Sequence, residues 1–416
     1  MAKSNVAPRQ NRKKYFLIGL TLACVVAGAY WYALAAWKAG DLCLAPEGVQ
    51  PEDVLFTDAD AFRAFAGDLR SGARAQLARQ FDPQTGFFRY SDTPGGETSS
   101  GNNDIRQLLA SRVVALESHA DEAMLAIHDA NLAAIMRNWY QEDASAGFVF
   151  ADEKSKLGAN AMLLRTLVAS PHFESYRDEA EKLVRSIELL QAPDGSFSSP
   201  WYREPDYEYD ADYLLTFYSG EAILALMEYV EKTEDARAYA TAVRAQDFYI
   251  THYVTDLEEN YYPAYVPWHT ASLALLYERT KNKKYADAVF VLNDKLLEIQ
   301  DTERFVGRFY NPATPQYGTP HASSDAVYTE GLAYAYGVAK AVGDAARIAR
   351  YHDAIVLGVH NLESLRYEPR FWYFDDGEAS ERLRGGIMTN ACSRWIRIDT
   401  TAHAIDGLTK ILEVWE

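Results

Sequence analysis

The chain has 416 residues, 48% of them apolar and 24% charged, a composition that folds around apolar cores and excludes a disordered chain. Its net charge of −18 repels phosphate backbones, so no nucleic-acid partner is expected, and a neutral or cationic ligand suits the body unless a local basic pocket overrides the average. Three cysteines without a Cys/His cluster, and the lack of a Gly-rich phosphate loop, HExxH or GxSxG, argue against zinc-peptidase and nucleotide-dependent chemistry; no metal and no cofactor is expected.

In chain order, residues 1–14 form a basic tail with Lys3, Arg9, Arg12, Lys13 and Lys14 and no acid. Residues 15–37 (YFLIGLTLACVVAGAYWYALAAW) carry no charge. At about 1.5 Å per residue such a helix crosses a hydrocarbon core of about 30 Å. Tyr30, Trp31, Tyr32 and Trp37 crowd its far end, where an aromatic belt belongs. The positive-inside rule keeps the tail in the cytoplasm. The expectation is a single-pass anchor in the inner (cytoplasmic) membrane with a periplasmic or extracellular body. A cleaved signal peptide ending at Ala33-Leu34-Ala35 is the competing reading, and the length of the run favours the anchor. Asp41 before Cys43 departs from a lipobox, and pairing of Cys43 with Cys392 stays open. Residues 38–57 read as a linker.

From 58 to 416 apolar residues recur at helical spacing over 58–80, 103–118, 120–138, 157–169, 174–191, 218–231, 235–251, 268–280, 283–300, 325–342, 344–360 and 399–415. No long β pattern competes. The loops Asp82–Phe88, Ala146–Phe150 and Ala192–Phe197 each place turn residues before an aromatic, which predicts short β-hairpins on one rim. Alternate helices differ in kind. GANAMLLRTLVA and GEAILALMEYV are apolar all round, whereas YRDEAEKLVRSIELL and KYADAVFVLNDKLLEI are amphipathic. An inner ring of buried helices inside an outer ring produces that difference. The inner starts (Asn102–Gln107, Lys156–Asn160, Tyr218–Glu221, Pro267–His269, Ser323–Asp325 and Arg397–Asp399) would then gather polar groups at one end.

Asn103–Gln107, Lys156–Asn160, Tyr218–Ala222, Asp325-Ala-Val-Tyr-Thr-Glu-Gly331 and Arg397–Asp399 with Ala402-His403 resemble the six-hairpin, (α/α)6-toroid, glycosidase-like superfamily over residues 82–416. The resemblance implies an all-α closed ring of helical hairpins with short β-hairpin loops, and a carbohydrate ligand. It fixes no single activity, since the superfamily holds hydrolases, lyases, epimerases and non-catalytic members.

Residues for chemistry follow from the inner starts. Glu221, Asp325, Glu330 and Asp399 are the candidate carboxyl pair of a glycoside hydrolase, with one as general acid and the other as base or nucleophile. His403 lies four residues after Asp399 on one helix face and is a candidate partner for it. Asp325 and Asp399 also read as helix caps, and His403 as a satisfied core histidine. Arg397 is a clamp for a carboxylate. Trp268 and His269, with Tyr261, Tyr262 and Tyr265 before them, form a sugar-stacking platform or pack the rim; Tyr218, Asp104, Arg106, Gln107, Asn160, Asp210 and His321 complete the candidate binding residues. The acidic loop Glu204–Tyr213 lacks the glycine and terminal glutamate of a calcium hand. Three functions remain open: a hydrolase acting on a cell-envelope or exported polysaccharide, a uronic-sugar lyase or epimerase served by Arg397, His403 and Tyr218, and a non-catalytic scaffold of polysaccharide synthesis or export machinery.

Overall fold

Twelve long helices in the described residues pair into six hairpins. In chain order they are α1 (Ala59–Gln80), α2 (Asp104–Glu117), α3 (Glu122–Asn138), α4 (Leu157–Ala169), α5 (Arg177–Leu189), α6 (Ala211–Thr233), α7 (Ala236–Ile250), α8 (Val266–Thr280), α9 (Lys283–Leu296), α10 (Ala322–Val342), α11 (Ala345–Ser364) and α12 (Ile398–Val414). This computed structural model describes residues 24–31, 50–56, 58–93, 99, 101–203, 211–368, 378–390, 393 and 395–415. The predicted basic tail, most of the predicted anchor and linker, Cys43, Cys392 and Asp210 lie outside them. Residues 24–31 are helical and exposed, and no helix among the described residues is long and apolar enough to cross a membrane.

The even-numbered helices form the inner ring, each packing on the next: α2 on α4, α4 on α6, α6 on α8, α8 on α10, α10 on α12, and α12 back on α2. The odd-numbered helices lie outside. α1 packs on α12, so the two ends of the body close the ring. Burial follows the sequence pattern. α4 is buried without a break from Leu157 to Leu167, while α5 buries Ala180, Leu183, Val184 and Ile187, one stripe at helical spacing. Most outer helices carry a side-chain cap: Asp121, Asp235, Asn282 and Asp344 each accept backbone N–H groups of the first turn. Such a cap contributes about 1 kcal/mol. Inner helices approach closely where glycine faces the neighbour. A Cβ on Gly220 would come within 2.5 Å of Trp268 Cβ, and one on Gly331 within 2.9 Å of Pro267 Cα.

Five of the six returns from an outer to an inner helix share one device. The pairs Phe81–Phe88, Tyr140–Val149, Gln191–Phe197, Gln300–Phe309 and Arg366–Ile387 bridge antiparallel, and a glycine stands two residues before the second member: Gly86, Gly147, Gly195, Gly307 and Gly385. The three loops read from sequence are among them; the other two were hidden by longer, irregular spacers. Gly307 shows why the residue type matters. Its φ is +93° and an added Cβ would fall 1.8 Å from the Leu357 carbonyl oxygen. Gly307→Ala is expected to cost about 2–4 kcal/mol, read as a lower denaturant midpoint at unchanged m. Two further strand pairs, 91–92 with 396–397 and 154–156 with 200–203, run straight into the starts of α12 and α4.

Candidate functional site

The N-terminal ends of the inner helices surround a cavity of about 500 Å³, within the range of small-molecule sites. Its chemistry comes from α2 (Arg106), α6 (Tyr218, Glu221), α8 (Trp268), the start of α10 (His321) and α12 (Arg397, Asp399, His403). Tyr213, Tyr262 and Tyr317 line the mouth in edge-on contact, with centroids 6.2 and 6.3 Å apart. The loop Tyr317-Gly318-Thr319, which stood out by no charge or motif in the sequence, closes one side.

The two carboxyl groups in the cavity differ sharply. Glu221 is buried, its Oε2 has no hydrogen-bond partner, and burial pushes its carboxyl up to about 7 despite the pull of Arg165 and Lys156. Asp399 is also buried, which opposes ionisation. The Arg397 fork overrides this, donating at 2.5 and 2.7 Å to its two oxygens, and holds the carboxyl below the usual range. Arg106 Nε, 3.0 Å from Oδ2, and the Thr400 N–H, 3.0 Å from Oδ1, complete its shell.

Both cavity histidines are neutral at physiological pH. Burial lowers His403 to about 4, and its Nδ1 has no partner. Burial and the nearby Arg397 lower His321 to about 4. The His321 Nδ1 accepts the Ser323 N–H at 3.1 Å, so its proton sits on Nε2, which is buried and unpartnered.

No protein-family model and no curated protein matches the chain. Solved structures do. A D-mannose isomerase superposes with a TM-score of 0.61 at 12% identity, over 84% of this chain and 98% of its own. The cellobiose 2-epimerase from Spirochaeta thermophila DSM 6192 gives 0.58 at 15%, over 85% and 99%. The α-1,6-mannanase GH76A from Salegentibacter sp. HEL1_6 gives 0.58 at 12%, over 84% and 99%. The chain is an (α/α)6 toroid. At these identities the likeness carries the fold alone and leaves the chemistry to the toroid's own residues.

The toroid brings Arg106, Tyr218, Glu221, Trp268, His321, Arg397, Asp399 and His403 together, and sets other predicted site residues apart from the cavity. Gln107, Asn160 and Asp325 occupy the fourth position of their inner helices and hold the rim hairpins. They accept the backbone N–H of Phe88, Val149 and Phe309 at 3.1, 2.8 and 2.8 Å. Asp325 also accepts from Asn361 at 2.9 Å, and burial pushes its carboxyl up to about 6. It does not cap α10; His321 does. Asp325→Ala would orphan the Phe309 N–H and the Asn361 amide, so a loss of about 1–3 kcal/mol is expected, with activity per folded molecule retained. A denaturation curve beside an active-site titration checks this.

Asp104 forms a buried ion pair with Lys156 at 2.5 Å. His269 is a core histidine, with ring nitrogens 3.2 Å from Ser219 Oγ and Gln246 Nε2. The Asp399–His403 pairing is one of field only, because both Asp399 oxygens are taken by Arg397, Arg106 and Thr400. Nor does Asp399 cap α12, which starts from Arg397 without a side-chain cap.

Glu330 lies one turn deeper than the cavity-lining Val327, in a charge network that the sequence reading missed. Arg165 forks onto Glu228 at 2.9 and 2.8 Å, and Arg112 joins Glu228 at 2.9 Å and also Asp406. Two guanidiniums thus meet two carboxylates. Glu330 is the third acid, and burial with adjacent Asp406 pushes it up to about 8. Arg165 also sits 5.7 Å from the Trp268 ring, beneath the cavity. The available signal was a single charge inside each apolar run: Arg112, Arg165 and Glu228.

Proposed function

We propose that the toroid is a carbohydrate-active enzyme that moves a proton on a sugar, as an isomerase or epimerase, with Glu221 as general acid and His403 as general base. One observation carries this reading. The cavity holds a protonated carboxyl and a neutral imidazole, each with an unpartnered atom, whereas the other lining carboxylate, Asp399, is engaged on both oxygens. The neutral His403 ring takes a proton from the carbon next to the sugar carbonyl, and Glu221 gives one to the oxygen on which charge develops. Trp268 supplies a ring face for the sugar, and Asp399 holds Arg397 and Arg106 in place. The structural neighbours that are isomerases and epimerases of sugars support this choice.

Hydrolysis needs a second free carboxyl across the cleft, and of Glu221, Asp325, Glu330 and Asp399 only Glu221 meets both conditions, lining the cavity and being unengaged. The full-length chain, incubated with free aldoses, disaccharides and uronates in D2O, is expected to incorporate deuterium at the carbon next to the carbonyl or carboxylate, read by NMR. Reducing ends released from oligosaccharides without exchange would overturn the reading in favour of a hydrolase. The kcat/KM profile is expected to rise through about pH 4 as His403 loses its proton and to fall through about pH 7 as Glu221 loses its own.

The uncharged run at 15–37 supports a tether with the toroid outside the cytoplasm. Alkaline phosphatase fused after residue 57 should then be active; an inactive fusion would reverse the orientation.

A further inference from the structure

We propose that the sugar bound in this cavity is a sugar acid, whose single carboxylate is held by Arg106, Arg397 and the Nε2–H of His321. This rests on the cavity being a sugar site. The argument is one of charge and donors. Two guanidiniums and one engaged carboxylate line the cavity, together with the uncharged His321 and His403 and a protonated Glu221. The Lys156–Asp104 pair beside it and the Arg112–Arg165–Glu228–Asp406 network beneath it are each balanced. One positive charge is therefore left over, inside a protein whose net charge is −18. An unmatched guanidinium on the wall of a partly shielded cavity favours an anion there, because the attraction is screened less than in bulk water.

The donors agree with the charge. Arg397 spends Nε and Nη2 on Asp399, and Arg106 spends Nε on Asp399 and Nη1 on the Tyr90 hydroxyl. Arg397 Nη1 and Arg106 Nη2 have no protein partner among the described residues. His321 lines the same cavity as both guanidiniums, and its Nε2–H is buried and unpartnered. Three donors on the lining of one cavity suit a carboxylate. One excess positive charge matches a carboxylate better than a phosphate dianion.

Calorimetry on the full-length chain at pH 6 tests this with four probes: D-glucuronate, D-galacturonate, D-glucose and glucose 6-phosphate. A uronate is expected to bind at least about tenfold more tightly than glucose, since hydrogen bonds to a charged group outweigh neutral ones. Arg106→Gln is expected to remove most of that preference, weakening the uronates by far more than glucose. Arg106 is the informative variant because its side chain is 36% exposed and Asp399 keeps the Arg397 fork. The His321→Asn variant, which keeps an acceptor to cap α10, provides a second reading and is expected to narrow the same preference. Glucose binding as tightly as the uronates, glucose 6-phosphate binding more tightly than both, or Arg106→Gln weakening all probes equally would overturn the carboxylate site and leave the sugar reading standing. Binding of none of the four would overturn both.

Discussion

Glu221→Gln is expected to lower turnover by about 10²–10⁴-fold while the protein stays folded. The glutamine keeps the shape and loses the proton that the general acid must give. The same substitution has a signature in stability. The folded-state carboxyl is raised to about 7 from 4.5. Below about pH 4.5 it is protonated in both states. Between there and about pH 7 the unfolded chain releases its proton first, so this group's contribution to stability declines as pH rises and is lost above about 7. Glu221→Gln should therefore gain stability over the parent at pH 8 and show little difference at pH 4. Urea titrations at the two pH values, paired with turnover, check both arms. Full activity in the variant would remove Glu221 from the chemistry.

Arg165→Met is expected to destabilise the toroid by about 3–5 kcal/mol. The guanidinium is fully buried and forks onto Glu228, so its removal strands a carboxylate inside the ring with Arg112 as the remaining partner. Arg165→Met combined with Glu228→Gln should recover much of the loss, because the double change removes the stranded charge as well as the cation. A second consequence reaches the cavity. Arg165 lies 5.7 Å from Trp268, so sugar affinity should weaken in both variants even where stability is restored. A single variant as stable as the parent in denaturant titration would show that the network carries no net stability.

The architecture was largely legible before the structure. Helical periodicity located the helices to within a few residues for most elements, and the contrast between GANAMLLRTLVA-type and YRDEAEKLVRSIELL-type segments separated inner from outer. Boundaries failed where flanking residues do not follow the period. α6 begins at Ala211 rather than 218, and α10 begins at Ala322 rather than 325 because its capping His321 and polar first turn carry no apolar signal. Among the candidate residues, Arg397, Asp399 and Trp268 reach the cavity from helix starts, whereas Glu221 reaches it from the eleventh position of α6. Asp325 and Asp399 have equally acidic side chains near equally placed helix starts. One braces Phe309 on the outer side, and the other faces the cavity.

Composition and periodicity by themselves determined an acidic body, an all-helical hairpin chain and which helices are buried on every side, because burial on one stripe or all round is written in residue order. Only the tertiary structure decided which acids meet. A turn of helix rotates a side chain by about 100° per residue, so Glu330 descends into the charge network while Glu221 reaches the cavity unpartnered. The charge state of each carboxyl depends on groups from other helices: Arg106 on α2 and Arg397 at the start of α12 for Asp399, and burial among α4 and α6 for Glu221. Those neighbours are brought together by ring closure, a through-space event that no local pattern encodes.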